Sequence, residues 1–171
     1  VTTAQTVNLV AGTDTLDASS MTAALTVDYA SSAALTSGDT LTAGTSSSDI
    51  LEITFDTTAA DLTNVTAFET IKSGADTASQ SITTVDGNVA ATESLTIDMS
   101  AQATNGYTVN ISAETNGAVT ITGGAAAGTI TLSSSSLGDT FTGGATGDGV
   151  TVIGAQLTSA DTLNGAGGTD T

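Results

Sequence analysis

Gly138-Asp139-Thr140-Phe141-Thr142-Gly143-Gly144 is the stretch on which the fold turns, because the chain repeats it. It returns as Ala160-Asp161-Thr162-Leu163-Asn164-Gly165-Ala166, and an earlier copy reads Gly38-Asp39-Thr40-Leu41-Thr42-Ala43-Gly44. A shorter version, Gly12-Thr13-Asp14-Thr15-Leu16, precedes them. In the last two copies a second Asp follows nine residues after the first, Asp139 to Asp148 and Asp161 to Asp170; in the first copy the step is ten, Asp39 to Asp49. Asp and Gly favour tight turns, and glycine reaches φ above zero without strain. The large apolar residue after each Asp opens a short strand that buries into a core. The nine-residue step predicts that one such loop stacks over the next.

Outward from this phrase, strand signals dominate. Apolar and polar residues alternate at Thr6–Val10, Leu25–Tyr29, Glu52–Phe55, Leu95–Met99, Tyr107–Ile111, Val119–Ile121, Ile130–Leu132 and Val150–Val152. Such alternation means one buried and one solvated face, and the Thr, Val and Ile that compose it suit a pleated surface. Helix signals are nearly absent; Ala59–Phe68, with Leu62 and Val65 three apart, predicts a turn or two at most. From Ile97 to Ile111, Ile121 and Leu132 the steps are 14, 10 and 11 residues. Short, even steps suit hairpins or the successive faces of a coil of strands. Asp86-Gly87, Asn105-Gly106 and Asn116-Gly117 supply hairpin-type turns, and small residues for solenoid corners are plentiful. Periodicity leaves both open. The expected fold is all-β, a parallel β-solenoid over residues 1–171 as a single repeat domain, with a Thr/Ser-rich β-sandwich as the alternative.

Composition narrows the function. The chain has 18 acidic residues against one basic residue, Lys72, for a net charge of −17, and lacks His, Cys, Pro and Trp. Nucleic acids and anionic membranes need basic side chains to hold them, so neither is an expected partner. Imidazole and thiol chemistry, disulfides, and zinc or haem sites built on His or Cys are excluded by composition. Paired carboxylates for sugar hydrolysis are present in kind, but aromatic residues to stack on a sugar make up only 3% of the chain. No enzyme is read from it. High charge with few large hydrophobics leans toward disorder, yet 39% of residues are apolar and many alternate, which predicts a folded chain with a thin core. No apolar run is long enough to cross a membrane as a helix.

Gly165-Ala166-Gly167-Gly168-Thr169-Asp170 and Gly143-Gly144-Ala145-Thr146-Gly147-Asp148 resemble the repeats-in-toxin (RTX) calcium-binding nonapeptide, G-G-x-G-x-D followed by a large apolar residue. In that family the loops build a β-roll or β-helix with Ca²⁺ between turns. Ca²⁺ takes about six to eight oxygens from carboxylates and carbonyls. The resemblance implies that Asp139, Asp148, Asp161 and Asp170 bind Ca²⁺ with carbonyls of Gly143, Gly144, Gly165 and Gly168. It extends to Asp14, Asp39 and Asp49, whose turns lack most of the glycines. After Asp49 come Ile50-Leu51-Glu52-Ile53 and then Val65-Thr66-Ala67-Phe68-Glu69-Thr70-Ile71. This order, and the Ala/Thr/Ser/Gly bias, is similar to type I-secreted bacterial surface-layer proteins and large adhesins. What this implies is a secreted, extracellular structural protein whose partners are copies of itself and, in the adhesin case, a cell-surface polysaccharide. A metal-free filament subunit joined by strand addition is a further alternative. Joining Thr171 to Val1 would complete the motif as G-T-D-T-V, which suggests a repeat unit or an end-to-end stack.

Other features have plainer readings. Lys72 is expected to form a surface pair with Glu69 or Asp76. Asn64-Val65-Thr66 and Asn110-Ile111-Ser112 match glycosylation sequons but fall in or beside strand patterns. Tyr29 and Tyr107 are expected to pack. Thr120-Ile121-Thr122 and Thr129-Ile130-Thr131 hint at an ice-binding array, but two such triplets are too few for a regular ladder.

Overall fold

A computed structural model describes residues 2–29, 35–74, 77–152 and 157–171. Among the described residues fifteen short strands follow one another: β1 (Gln5–Asn8), β2 (Thr15–Asp17), β3 (Leu25–Tyr29), β4 (Thr40–Thr42), β5 (Ile50–Ile53), β6 (Val65–Thr66), β7 (Thr70–Ser73) and β8 (Gln80–Thr83) come first. After a single 3₁₀ turn at Asp86–Asn88 come β9 (Ser94–Asp98), β10 (Tyr107–Asn110), β11 (Ala118–Thr122), β12 (Gly128–Thr131), β13 (Thr140–Thr142), β14 (Gly149–Thr151) and β15 (Thr162–Asn164). Every strand pairing is parallel. The odd-numbered strands stack in order as one eight-stranded sheet; β2-β4-β6 and β14-β12-β10-β8 form two smaller ones. The molecule is a β-solenoid. Because all neighbours are parallel, the Asp-Gly and Asn-Gly turns are corners rather than hairpins, and the sandwich alternative does not hold. The Ala59–Phe68 stretch forms turns leading into β6, with Leu62 and Val65 both buried, and no α-helix occurs among the described residues.

The rung length differs from the nine-residue expectation. In-register neighbours of the large sheet are 20 residues apart from Thr6 to Thr26 and 26 apart from Thr70 to Thr96. The nine-residue step from Asp139 to Asp148 leads instead from β13 to β14, that is, from one face of the coil to another within a turn. Nine residues are enough for one strand and one corner, whereas returning to the same face takes two or three of each. The 14-, 10- and 11-residue steps from Ile97 to Leu132 are likewise steps between faces.

Register aligns the core. On the large sheet Val7, Val27, Leu51, Ile71, Ile97, Ile121, Phe141 and Leu163 form one unbroken inward column. Leu16, Leu41 and Val65 do so on the three-stranded sheet, and Ile82, Val109, Ile130 and Val150 on the four-stranded one. Full burial of one such side chain contributes about 1.5–3 kcal/mol, which is how so thin a core holds the chain. The period-2 pattern puts every second residue inward, so each strand delivers one to three of these side chains and the polar residues between face water. Tyr29 and Tyr107 are buried as expected, Tyr29 edge-on against Phe55 with ring centroids 6.1 Å apart. Lys72 pairs with Glu52, its in-register neighbour on β5, at 3.6 Å rather than with Glu69; Asp76, like Val1, lies outside the described residues.

Candidate functional site: the stacked carboxylate turns

The sequence-predicted aspartates sit where the chain turns into a strand. Asp14 and Asp39 precede β2 and β4, Asp49 precedes β5, Asp139 and Asp161 precede β13 and β15, and Asp148 precedes β14. Asp170 continues the same face as Asp148, for Thr171 donates its N–H to the Asp148 carbonyl. Rungs therefore bring Asp14 over Asp39, Asp139 over Asp161 and Asp148 over Asp170, while Asp49 stands over Glu69.

The carboxylates of Asp39, Asp49, Asp139, Asp148 and Asp161 share one bonding pattern. One oxygen accepts the N–H of a residue in the rung before; the other accepts an N–H of its own turn. Asp39 takes the Asp14 amide at 2.7 Å and the Thr36 amide at 2.6 Å. Asp49 takes Leu25 N–H at 2.8 Å and Gly44 N–H at 2.9 Å. Asp148 takes Gly128 N–H at 2.6 Å and Gly144 N–H at 3.0 Å. Asp139 accepts from Val119 N–H at 3.1 Å and from the Ser133 hydroxyl at 2.6 Å. Asp161 then accepts the Asp139 amide at 2.7 Å, and Asp170 the Asp148 amide at 3.0 Å. Each of these carboxylates thus clips its rung to the one before; the amides of Asp49, Asp139 and Asp148 are in turn clipped by Glu69, Asp161 and Asp170 of the rung after, whereas those of Asp39 and Asp161 return to the Thr36 and Thr158 carbonyls of their own turns.

Burial makes these bonds matter. Asp39, Asp49, Asp139 and Asp148 are at most 2% exposed. A buried ionised carboxylate is costly unless its oxygens are hydrogen-bonded, and bonds to a charged group contribute about 1.5–3 kcal/mol each. Close packing pushes the phenol of Tyr107 well above its usual range by burial, with Asp148 adding to it; its hydroxyl lies 3.3 Å from the Asp148 carboxylate.

The glycines serve the turns, mostly for a different reason from the one expected. Gly168, at φ +101°, does use the left-handed region. Ala166, the one alanine replacing a motif glycine, is forced into the same region at φ +62°. Gly143, Gly144 and Gly165 are needed for space: a Cβ would strike the Asp148 carboxylate at Gly143, the Gly124 carbonyl at Gly144 and the Asp170 carboxylate at Gly165.

Several participants escaped the sequence reading. Glu69 accepts the Asp49 amide at 2.7 Å and so extends that ladder. Burial, then the charges of Asp49 and Glu93, raise its carboxyl above the usual range. Glu114 is fully buried, and its Oε1 caps the amides of Thr115, Asn116 and Gly117 at 2.6–3.0 Å. Asp61 caps Thr58 as Asp39 caps Thr36 and Asp161 caps Thr158. Their shared Thr-x-x-Asp spacing was the available signal.

A Ca²⁺ site needs several oxygens converging from carboxylates and carbonyls. At Gly143 the Asp148 carboxylate and the Gly165 carbonyl of the next rung crowd the position a Cβ would take, a bond length from the glycine Cα, so that point has no room for an ion. The amides that hold the carboxylates occupy much of the remaining space, and no group of three or more acidic side chains gathers among the described residues. A groove of about 840 Å³ lies elsewhere, on a corner lined by Thr45, Ser46, Phe68, Glu69 and Glu93. No family model, curated protein or solved structure matches this chain.

Proposed function

We propose that this chain is a non-catalytic structural element of a bacterial surface-layer or adhesin-type protein, working outside the cell as a stiff solenoid that assembles with copies of itself. The observation that carries this reading is the parallel eight-stranded stack with open edges at β1 and β15. Unpaired sheet edges recruit further strands. The terminal rungs also leave apolar side chains uncovered, Val10 at 69%, Leu157 at 53% and Leu163 at 40% exposure. A further rung, from a longer polypeptide or from another copy, would cover them. Electron microscopy and sedimentation of the purified chain test this. Filaments, sheets or a concentration-dependent rise in mass are expected, and a strict monomer at high concentration with calcium present overturns self-assembly.

Calcium belongs to this proposal as a second reading, favoured by the stacking of the Asp139 turn on Asp161 and of the Asp148 turn on Asp170. Asp139, Asp148, Asp161 and Asp170, with carbonyls of the adjoining glycines, would hold the ion and add to the amide clips. Binding only the folded state would raise stability by mass action. A thermal melt with and without excess chelator decides it. A large fall in Tm on chelation supports calcium, and an unchanged Tm overturns it.

A further inference from the structure

Strand register produces an order that the linear sequence conceals. The second outward position on the large sheet, from Thr6 and Thr26 through to Thr140 and Thr162, is Thr in seven of its eight strands, Ile50 being the exception. Two residues further along each strand lies a parallel column. It is charged at Asp28, Glu52, Lys72 and Asp98, then changes to Thr122, Thr142 and Asn164. Over β11, β13 and β15 the sheet therefore offers an uncharged array, Thr120 and Thr122 stacked on Thr140 and Thr142, stacked on Thr162 and Asn164. The triplet Thr129-Ile130-Thr131 heads the same kind of array on the neighbouring sheet, between Thr108 and Thr151. Two triplets that look isolated in sequence are in fact rungs of ladders, because the rung length varies and hides the period.

The array is rigid and free. Backbone ladders fix the rows about 4.8 Å apart, and alternate residues of one strand stand about 6.6 Å apart. The β-branched side chain is stiff at χ1, so each hydroxyl and methyl holds one place. The hydroxyls of Thr120, Thr122, Thr140, Thr142 and Thr162 make no hydrogen bond to the described residues, leaving them to water. Waters held by fixed donors and acceptors lose little further freedom when they become part of a larger order. This patch has no charge to draw an ionic partner and no aromatic ring to stack on a sugar. Its recognisable chemistry is a two-dimensional lattice of hydroxyls with methyls between them, and the ligand that shares such a lattice is crystalline water.

We propose that the threonine face over β11, β13 and β15 binds ice. This goes beyond the structural role above and does not depend on it. The test uses the whole purified chain in assays of ice recrystallisation and of ice-affinity partitioning. Wild-type protein is expected to arrest recrystallisation and to enter growing ice. Thr122→Tyr with Thr142→Tyr, which breaks the regularity of the array, should raise the concentration needed by about tenfold or more, the effect of blocking the centre of an interface. Thr40→Tyr on the three-stranded sheet should leave it unchanged. Thr122→Val with Thr142→Val keeps shape and fold, as circular dichroism will verify, and should weaken binding through lost hydroxyls alone. Absence of ice activity in the wild type overturns the proposal. So does equal loss in the Thr40→Tyr control, or binding of the face to insoluble polysaccharide instead of ice.

Discussion

At the scale of the residue, the turn glycines and the one alanine among them make opposite predictions. A Cβ at Gly144 would overlap the Gly124 carbonyl of the preceding rung, a backbone atom that cannot move without shifting its own strand. Gly144→Ala is therefore expected to destabilise by about 1–3 kcal/mol, the usual cost of overpacking. Ala166 carries a Cβ in the left-handed region, at φ +62°, where an L-residue is disfavoured by about 1–2 kcal/mol. Ala166→Gly removes that strain at an exposed turn. It is expected to raise stability by up to about 1 kcal/mol, the gain being reduced by the greater freedom of glycine in the unfolded chain. Chemical denaturation of the two variants beside the wild type reads both signs. A neutral Gly144→Ala would show that adjoining rungs can part to admit a methyl group.

At the scale of the element, the Asp49–Glu69 clip links the turns before β5 and β7, and its pH response is set by Glu69. The folded chain holds this carboxyl above its ordinary 4.5, chiefly through burial and then through the charges of Asp49 and Glu93. The folded state therefore binds the proton more tightly than the unfolded one. Its contribution to stability is complete below pH 4.5, and it is lost as pH rises through the raised value. At neutral pH the ionised Glu69 works against folding. Glu69→Gln keeps an oxygen for the Asp49 amide and removes the charge. The variant should melt higher than wild type at pH 7, and the difference should shrink on acidification. A variant that melts lower at pH 7 would mean that the charge strengthens the amide bond by more than it repels its neighbours.

The same elements mark how far the sequence could be read. Strands with two or three inward side chains, such as β3 with Leu25, Val27 and Tyr29, are legible because alternation is a local property. The three-residue strands β4, β13 and β15 carry a single inward residue each, and they announce themselves only through the Asp-Thr phrase before them. β6 has two residues and no pattern at all; the turn ahead of it, with Leu62 and Val65 facing the core, imitates a helical spacing. Parallel pairing was not legible, since the same turns serve hairpins and corners equally well. At the site, the positions of Asp39, Asp49, Asp139 and Asp148 were legible, but their partners were not. A carboxylate's amide partner lies a full rung away, at a separation that changes from turn to turn. Glu114 escaped for the opposite reason, because its partners are the next three amides and nothing in the residue types distinguishes that turn from any other.

At the scale of the molecule, charge and stacking oppose one another. Eighteen acidic groups and one Lys share a coil whose rungs place several carboxylates in columns, and only Glu52 is paired with that Lys among the described residues. The buried carboxylates of Asp39, Asp49, Asp139 and Asp148 are satisfied locally by amides and hydroxyls, but these carry no net charge, so repulsion between columns is left to the solvent and its ions. The screening length falls from about 30 Å at 0.01 M salt to about 10 Å at 0.1 M and about 3 Å at 1 M. Raising the concentration of NaCl from 0.01 M toward 1 M should therefore raise Tm steadily, with most of the gain once the screening length falls below the spacing of the columns. This same titration separates general screening from a specific ion. If ions only screen, CaCl₂ and NaCl at matched ionic strength should give Tm values close to one another. If Ca²⁺ is held by the stacked Asp148 and Asp170 carboxylates, CaCl₂ should stabilise more at low ionic strength, and Asp148→Asn should abolish the excess while leaving the NaCl response in place. A Tm that falls with added NaCl would overturn the premise that repulsion limits this fold.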